Sequence, residues 1–462
     1  MTALPASLTI EALHTRYAAG LHPGAVISDV YRRIASADDP GIFIALIPEA
    51  DTLAAARALC PFDPQAKPLW GVPFAIKDNI DLAGLPTTAG CPEFAYRPAA
   101  SAPAVARLVA AGAIPIGKTN LDQFATGLVG TRTPYRVPRN PFDPGIVPGG
   151  SSSGSAVVVS RGIVPFALGT DTAGSGRVPA GLNNIVGLKP TNGAISTRGV
   201  VPACRTLDCV SAFALTVGDA VTVCRAMAGF DPEDPYSRPM TSRGRSVMPS
   251  ASLRVGVPDF ASRLFGGDEL AREAFDSSVN DLAALGAAVV QIDLSPFLAV
   301  GELLYEGPWV AERYHAVGNF IEQCPNAVHP VVRQIILAAA GLSATDAFAR
   351  LYRLAELRRA AEAAWESVDV LLVPTLPRPR RVVDIEADPI GSNSELGTYT
   401  NFVNLMDLCA LAVPGRFRGD GLPSSITLVA LAGCDDRIAA IGAALHARSA
   451  VPLGHRLGWL RP

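Results

Sequence analysis

The sequence predicts an α/β protein, because helical segments alternate with short, apolar, strand-like runs. Residues 25–34 (AVISDVYRRI) carry apolar side chains at helical spacing. The texture then changes to a strand-like run at 70–80 (WGVPFAIKDNI), which is followed by a helix at 101–111 and a buried strand at 113–120 (AIPIGKTN). This alternation is typical of a sheet covered by helices.

The second half of the chain continues the alternation. Strands are predicted at 252–260 and 287–294 around a helix, and a long helix at 340–368 precedes a strand at 368–375. A last helix is predicted at 436–448. Residues 231–250 are polar and rich in proline, which indicates an exposed excursion.

A long loop interrupts the pattern at residues 130–155. It contains five prolines, then two glycines and three serines, before regular structure returns at 156–160 (AVVVS) and 164–171 (VPFALGTD). A long structured loop inside a compact domain usually carries function. We therefore expect chemistry at its serine-rich end.

Composition excludes several classes of function. A net charge of −3 leaves no basic face to neutralise phosphates, so we expect no nucleic-acid partner. No uninterrupted apolar run approaches the roughly 20 residues of a membrane span. The N-terminus lacks the basic and apolar regions of a secretory signal. We therefore expect a cytoplasmic protein with no membrane partner.

The eight cysteines are scattered, with no C-x-x-C pair that would indicate zinc or thioredoxin-like chemistry. We interpret them as buried thiols in a reducing cytoplasm and expect no metal and no cofactor, although a catalytic cysteine stays open as an alternative. They are Cys60, Cys91, Cys204, Cys209, Cys224, Cys324, Cys409 and Cys434.

Lysine is rare in this chain: only Lys67, Lys77, Lys118 and Lys189 occur among 39 basic residues. Arginine serves as the usual surface cation, so a remaining lysine is a candidate for losing its proton. Lys77 follows an apolar stretch that would bury its stem and lower its pKa toward neutrality. The alternative is that Lys77 pairs with the neighbouring Asp78.

Serine nucleophiles have two possible bases. Residues 150–154 match G-x-S-x-G with Ser152 at the centre, but a proline-rich loop precedes them instead of a strand, and none of the six histidines lies in a recognisable motif. A neutral lysine can instead activate a serine. Small residues surround Ser175 in GTDTAGSGR, so backbone N–H groups could converge there as an oxyanion hole. A plain glycine-rich turn or a phosphate loop remains the alternative.

These motifs resemble the amidase signature family, most specifically at 71–217 and more loosely at 395–435. The resemblance implies a Ser–cis-Ser–Lys relay of Lys77, Ser151 and the nucleophile Ser175, with 175 − 151 = 24 residues matching the family spacing. It also implies a large mixed central β-sheet with helices on both faces, in one domain over 1–462 whose more variable substrate-pocket region spans 231–390. The implied oxyanion donors are the N–H groups of Thr172, Ala173, Gly174 and Ser175, and the supporting residues are Ser153, Asp171 and Arg177.

Within that family the chain most resembles the amidase domain of the allophanate hydrolases. The segments that carry this likeness are 122–135 (DQFATGLVGTRTPY), GGSSSGSAVVV and GTDTAGSGRVPAGLNNIVGLKPT. The resemblance places the substrate contacts on Tyr305, Arg313 and Gly127. An arginine suits a carboxylate because its planar fork binds both oxygens. The alternative is that Arg313 is a surface residue paired with Glu306 or Glu312 and that Tyr305 is core.

The resemblance implies that water converts allophanate to N-carboxycarbamate and ammonia, after which carbon dioxide is lost. It also implies a homodimer, and a further C-terminal domain that this sequence lacks. The chain is therefore expected to be either part of a longer protein or a one-domain form. Two other activities stay open: another amidase of the family, or the glutaminase-type subunit of a tRNA-dependent amidotransferase.

Overall fold

The computed structural model describes residues 7–240 and 253–455, so the predicted excursion at 231–250 lies outside the described residues from 241 onward. Within the described part, eleven strands form one sheet. The strands are β1 (Phe43–Leu46), β2 (Pro73–Lys77), β3 (Ile114–Thr119), β4 (Phe166–Thr170), β5 (Val186–Lys189), β6 (Val210–Ala214), β7 (Arg254–Pro258), β8 (Ala288–Ile292), β9 (Val370–Pro374), β10 (Leu408–Pro414) and β11 (Ser425–Leu431).

Helices alternate with these strands, as the apolar periodicity predicts. They are α1 (Ile10–Ala18), α2 (Pro23–Ala37), α3 (Glu49–Arg57), α4 (Pro103–Ala110), α5 (Ser153–Ser160), α6 (Val178–Leu182), α7 (Val217–Met227), α8 (Glu269–Ala284), α9 (Ser295–Glu306), α10 (Trp309–Gln323), α11 (Pro330–Leu337), α12 (Ala344–Ser367), α13 (Val382–Ala387), α14 (Gly391–Leu396), α15 (Phe402–Leu405) and α16 (Asp435–Ser449).

The sheet is mixed, in the order β1-β3-β2-β4-β6-β5-β10-β11-β9-β7-β8. β2 runs parallel to β3 and β4, and β7 runs parallel to β8 and β9, whereas the other neighbours are antiparallel. This confirms the large mixed sheet that the sequence resemblance implies.

Helices cover both faces of the sheet. Successive side chains of a strand point to opposite faces, so one strand contributes to two cores. Phe74 and Ile76 of β2 belong to a core that includes residues of α4, α7 and α16. Ala75, between them, belongs to a second core with α2 and α5. The burial of all five β2 residues follows from this sandwiching.

The parallel strands β2, β3 and β4 end at one edge of the sheet, with Lys77, Thr119 and Thr170 as their last residues. In open α/β sheets, ligands bind outside the carboxyl ends of such strands. The predicted loop over 130–155 ends earlier than expected, because α5 begins at Ser153. The serine-rich end of the loop therefore meets this edge at a helix N-terminus.

Two further findings concern the chain as a whole. In residues 7–240 and 253–455, no single helix combines the length and hydropathy of a membrane span; one bent pair, Pro330–Gly341 and Ala344–Ser367, passes by length and composition alone. None of the eight cysteines forms a disulfide, and six of them are buried, with Cys60 and Cys324 exposed.

The close approach of α5 to the sheet generates a prediction. A Cβ on Gly154, the second residue of α5, would collide with the Ile42 carbonyl oxygen and lie 2.7 Å from the Asn120 nitrogen. Both are backbone atoms that cannot move aside. Gly154→Ala should therefore lower the free energy of unfolding by about 1–3 kcal/mol, measured by urea denaturation.

Gly218 is the matched control, because it is the second residue of α7 and a Cβ there would meet only the Thr216 hydroxyl, at 3.9 Å. Gly218→Ala should leave stability unchanged or raise it by up to about 1 kcal/mol. Equal effects of the two substitutions would contradict the tight packing of α5.

Candidate active site

Lys77 lies at the carboxyl end of β2 and is fully buried. Its Nζ is 2.7 Å from Oγ of Ser151 and 2.8 Å from Oγ1 of Thr170, the last residue of β4. The Thr170 hydroxyl also accepts a hydrogen bond from Asn79 at 3.2 Å. One amine thus connects the end of the proline-rich loop to the strand that leads into the Ser175 loop.

Burial lowers the pKa of Lys77 to about 7, from an ordinary value of 10.5. The carboxylates of Asp122, Asp208 and Asp171 oppose this shift, and the Arg313 guanidinium adds to it. A substantial fraction of Lys77 is therefore uncharged near neutral pH. An uncharged amine 2.7 Å from a hydroxyl can accept its proton.

The alternative in which Lys77 pairs with Asp78 is wrong. Asp78 forms an ion pair with Lys118 at 3.0 Å instead, with both side chains buried, and it accepts a hydrogen bond from the Thr88 N–H at 3.0 Å. Among the described side chains, no carboxylate oxygen lies within 4.0 Å of the Lys77 amine. Lys118 therefore takes the charged role, and Lys77 is left without a counter-ion.

The three consecutive serines have different surroundings. The Gly150–Ser151 peptide bond is cis, and the Ser151 carbonyl accepts a hydrogen bond from the Asp122 N–H at 3.1 Å. Ser152, the centre of the elbow-like motif, is buried and follows the proline-rich loop, whereas a nucleophile elbow follows a strand. Its hydroxyl donates to the Thr170 carbonyl at 3.3 Å. Ser151 is the one whose hydroxyl contacts Lys77.

Ser153, which the family resemblance implies as a supporting residue, makes its hydrogen bond to the strand end beside the relay. Its hydroxyl donates to the backbone carbonyl of Asn120 at 3.4 Å, at the end of β3. The physical reason is that Ser153 is the first residue of α5, so its side chain faces the neighbouring strand end. Its contact anchors α5 to the sheet.

The loop that carries Ser175 is braced by a buried ion pair. The Arg177 guanidinium binds both oxygens of Asp171 at 2.8 Å, and neither side chain is exposed. The same carboxylate accepts hydrogen bonds from the N–H groups of Gly174 at 2.8 Å and Gly176 at 3.1 Å. Burial alone would raise the pKa of Asp171, but Arg177 holds it below its usual value. The loop around Ser175 is therefore rigid.

This bracing corrects the expected oxyanion site. The Gly174 N–H donates to Asp171, so it is not available to an oxyanion. In the part of the chain that the structure describes, the N–H groups of Thr172, Ala173 and Ser175 donate to no protein acceptor. A Cβ on Gly174 would collide with the Thr400 side chain, which explains the glycine. Three donors, not four, remain for a developing negative charge.

Arg313 lies in α10 and is buried, with 3% of its surface exposed. Its Nη1 is 3.0 Å from the Thr126 hydroxyl and 3.3 Å from the Ala125 carbonyl, and its Cζ lies 5.9 Å from the centre of the Tyr305 ring. The surface alternative is therefore wrong for Arg313. Glu312 turns away and accepts a hydrogen bond from the Thr206 N–H at 2.9 Å.

Tyr305 and Gly127 both lie near Arg313. Tyr305 is only partly buried and lines a cavity of about 340 Å³ together with Arg132. Gly127 follows Thr126, and a Cβ there would lie 2.6 Å from an oxygen of Asp122. Among the described side chains, no carboxylate pairs with Arg313, so its guanidinium is available to a ligand.

Three further residues of the site, Asp122, Thr170 and Asp208, were not predicted from the sequence. Asp122 accepts hydrogen bonds from the N–H groups of Gly130 at 3.0 Å and Arg132 at 2.9 Å, which holds the loop below Ser151. Thr170 and Asp208 contact Lys77 and the Ser175 loop respectively. A strand-end hydroxyl and isolated aspartates carry no sequence signal, because their partners are remote in sequence.

A catalytic cysteine was the remaining alternative. Burial raises the pKa of Cys204 and of Cys209, the two cysteines beside the site, to about 12, so their reactive thiolates are scarce at neutral pH. No group of three or more potential metal ligands occurs within residues 7–240 and 253–455.

Several known proteins are similar to this chain in sequence or in fold. Urea amidolyase of Saccharomyces cerevisiae is 51% identical over 365 residues, which are 78% of this chain and 20% of that protein. A glutamyl-tRNA(Gln) amidotransferase subunit of Chloroflexus aurantiacus is 35% identical over 464 residues, covering 91% of this chain and 92% of the relative. The structure of Kluyveromyces lactis allophanate hydrolase superposes with a TM-score of 0.90 at 40% identity, covering 97% of this chain and 74% of that one.

The chain thus spans about a fifth of the length of the urea amidolyase that it matches. The Amidase family model matches residues 25–438, which is most of the sequence. Together with the relatives above, this match confirms the resemblance that the serine- and glycine-rich motifs indicate. The chain belongs to the amidase signature family.

Proposed function

We propose that this chain hydrolyses the terminal C–N amide bond of allophanate, a urea that carries a carboxylate. The observation that carries the proposal is a buried Arg313 guanidinium, without a carboxylate partner among the described side chains, close enough to Lys77 to lower the pKa of that amine. A site that joins a neutral base to a free cation suits an amide with a negative charge at its other end.

The first step is activation of the nucleophile. Neutral Lys77 accepts the proton of the Ser151 hydroxyl, 2.7 Å away, while Ser151 accepts the proton of Ser175. The Ser175 oxygen attacks the carbonyl carbon of the terminal amide. The resulting oxyanion accepts hydrogen bonds from the N–H groups of Thr172, Ala173 and Ser175, which the Asp171–Arg177 pair holds in place.

The tetrahedral intermediate then collapses. The C–N bond breaks and the departing ammonia takes the proton back along the same path from Lys77, leaving an acyl ester on Ser175. Water attacks this ester with Lys77 and Ser151 again removing the proton, and Ser175 recovers its hydrogen. The product is N-carboxycarbamate, which goes on to yield carbon dioxide and a second ammonia.

The carboxylate end is bound on the α10 side of the site. Arg313 offers two parallel N–H donors to the two carboxylate oxygens, and such charge-assisted pairs are stronger than neutral hydrogen bonds. Tyr305 and Gly127 complete the contact. All but Gly127 come from the segment 231–390, which we assign as the substrate-pocket region of a single domain over 1–462.

The setting of the enzyme is part of the same proposal. Six buried cysteines that form no disulfide fit a reducing, cytoplasmic compartment. We expect the protein to work as a homodimer on a small-molecule substrate, without nucleic acid or membrane.

A glutaminase-type component of a tRNA-dependent amidotransferase is the second candidate, supported by the 35% identity to such a protein over most of both chains. The 51% identity to urea amidolyase favours allophanate. The purified chain should release ammonia from allophanate, only slowly from simple uncharged amides, and not at all from glutamine. Ammonia from glutamine alone would overturn the assignment in favour of the second candidate.

The state of Lys77 sets the pH dependence. The protonated amine is inactive, so kcat/KM for allophanate should be lost as pH falls through about 7 and should level off above it. Lys77→Arg cannot lose its proton, and its kcat should fall by about 10⁴-fold or more at every pH. Steady-state ammonia release between pH 5.5 and 9 measures both effects.

Lys67→Arg is the control for that experiment, because it is the same substitution at a lysine that lies outside the site. It should keep the wild-type rate and pH profile. A flat profile across pH 7 in the wild type would contradict a neutral lysine as the base.

Arg313 should decide selectivity. Arg313→Ala removes the charge-assisted contacts to the carboxylate, so kcat/KM for allophanate should fall by about 10²-fold, while slow turnover of an uncharged amide should change little. Arg353→Ala, on the exposed face of α12, is the matched control. Unchanged preference for the carboxylate-bearing substrate in Arg313→Ala would sink this assignment.

A further inference from the structure

Asp208 is a buried carboxylate beside the Ser175 loop that has no place in the relay. It accepts hydrogen bonds from the Thr172 hydroxyl at 2.6 Å and from the N–H groups of Ala203 at 2.9 Å and Cys204 at 3.1 Å. Only 7% of its surface is exposed. No arginine or lysine side chain that the structure describes lies within ion-pair distance of it. Hydrogen-bond donors hold its charge, and the Arg313 guanidinium also favours the ionised form.

One side of this carboxylate holds the oxyanion loop. Thr172 contributes one of the three N–H groups that remain for the oxyanion, and its side chain has Asp208 as its partner. The Asp171–Arg177 pair braces the loop on its other flank through Gly174 and Gly176. Without Asp208, the Thr172 end of the loop would lose its side-chain anchor.

The other side leads to the helix that carries Arg313. Asp208 binds the N–H of Cys204, and the Cys204 thiol donates to the carbonyl of Trp309 at 3.2 Å. Trp309 is the first residue of α10, one turn before Arg313. A continuous path of contacts therefore runs from the oxyanion loop through Asp208 to the proposed carboxylate site.

The charge of Asp208 also reaches the relay. Burial raises the pKa of Asp208, while the hydrogen bonds from Thr172, Cys204 and Ala203 favour its ionised form. In that form it raises the pKa of Lys77, against the larger effect of burial. Removing this charge would leave Lys77 easier to deprotonate.

We propose that Asp208 is a positioning residue that fixes the oxyanion loop relative to the Arg313 helix. This inference rests on the proposed function for its substrate end only.

The test uses labelling of Ser175 by a fluorophosphonate, which needs no knowledge of the substrate, together with kcat for allophanate. Asp208→Asn should slow labelling by about 10- to 10²-fold, somewhat less than the outright loss of an oxyanion donor. The midpoint of its pH–rate curve should move to lower pH than in the wild type, because the charge that opposes deprotonation of Lys77 is gone.

Two further variants separate position from charge. Thr172→Val removes the hydrogen bond and keeps the carboxylate, so it should slow labelling and shift the midpoint less than Asp208→Asn does. Asp208→Glu keeps the charge at a displaced position and should behave in the same way. If Asp208→Asn fails to fold, a wild-type labelling rate in these two variants would still overturn the positioning role.

Asp219→Asn is the control, because Asp219 is also buried and accepts a backbone N–H, that of Ile10 at 3.3 Å, far from Ser175 in the fold. It should alter neither rate nor midpoint. An equal loss in Asp219→Asn, or a wild-type labelling rate in Asp208→Asn, would overturn the inference. Wild-type labelling without ammonia from allophanate would overturn the proposed substrate and leave the Asp208 result standing.

Discussion

The site depends on one interaction: a buried amine, without a counter-ion among the described side chains, in contact with a serine hydroxyl. Transferring an ammonium ion into a protein interior costs several kcal/mol, so an unpaired lysine responds by lowering its pKa. The other buried lysines offset part of this cost with partner oxygen atoms. Lys118 has Asp78 at 3.0 Å, and Lys189 donates to three oxygen atoms at 2.8 Å. Lys77 has two hydroxyl partners, which can serve an uncharged amine equally well.

Three carboxylates lie near Lys77, and a salt bridge from any of them would have kept its amine charged. Each is occupied by other donors: Asp171 by Arg177 and two N–H groups, Asp122 by two N–H groups, and Asp208 by Thr172 and two N–H groups. These contacts have a double effect. They hold the backbone around the serines, and they keep the negative charges at a distance from which they moderate the pKa of Lys77 without neutralising its role.

The kind of substrate that this arrangement favours depends on Arg313, the cation near the base. Arg313 is buried against Thr126 and Tyr305, in a location where an unpaired cation is as costly as an unpaired amine. Because guanidinium cannot lose its proton at neutral pH, that cost is relieved by negative groups such as Asp208 and would be relieved further by an anionic ligand. Lys77 thus responds to burial by losing its proton, whereas Arg313 keeps its charge and can bind an anion.

The sequence by itself determined the α/β class, most of the strands and helices, the family and the identity of the candidate base and serines, because apolar periodicity and short glycine- and serine-rich motifs are local features. Only the tertiary structure decided that Asp78 pairs with Lys118, that Ser153 faces Asn120, and that the Gly174 N–H is taken by Asp171. Asp122, Thr170 and Asp208 likewise gain their partners only on folding. The physical reason is that a hydrogen bond or a pKa depends on distances of a few ångströms between residues remote in sequence, and the packing of the sheet edge sets those distances.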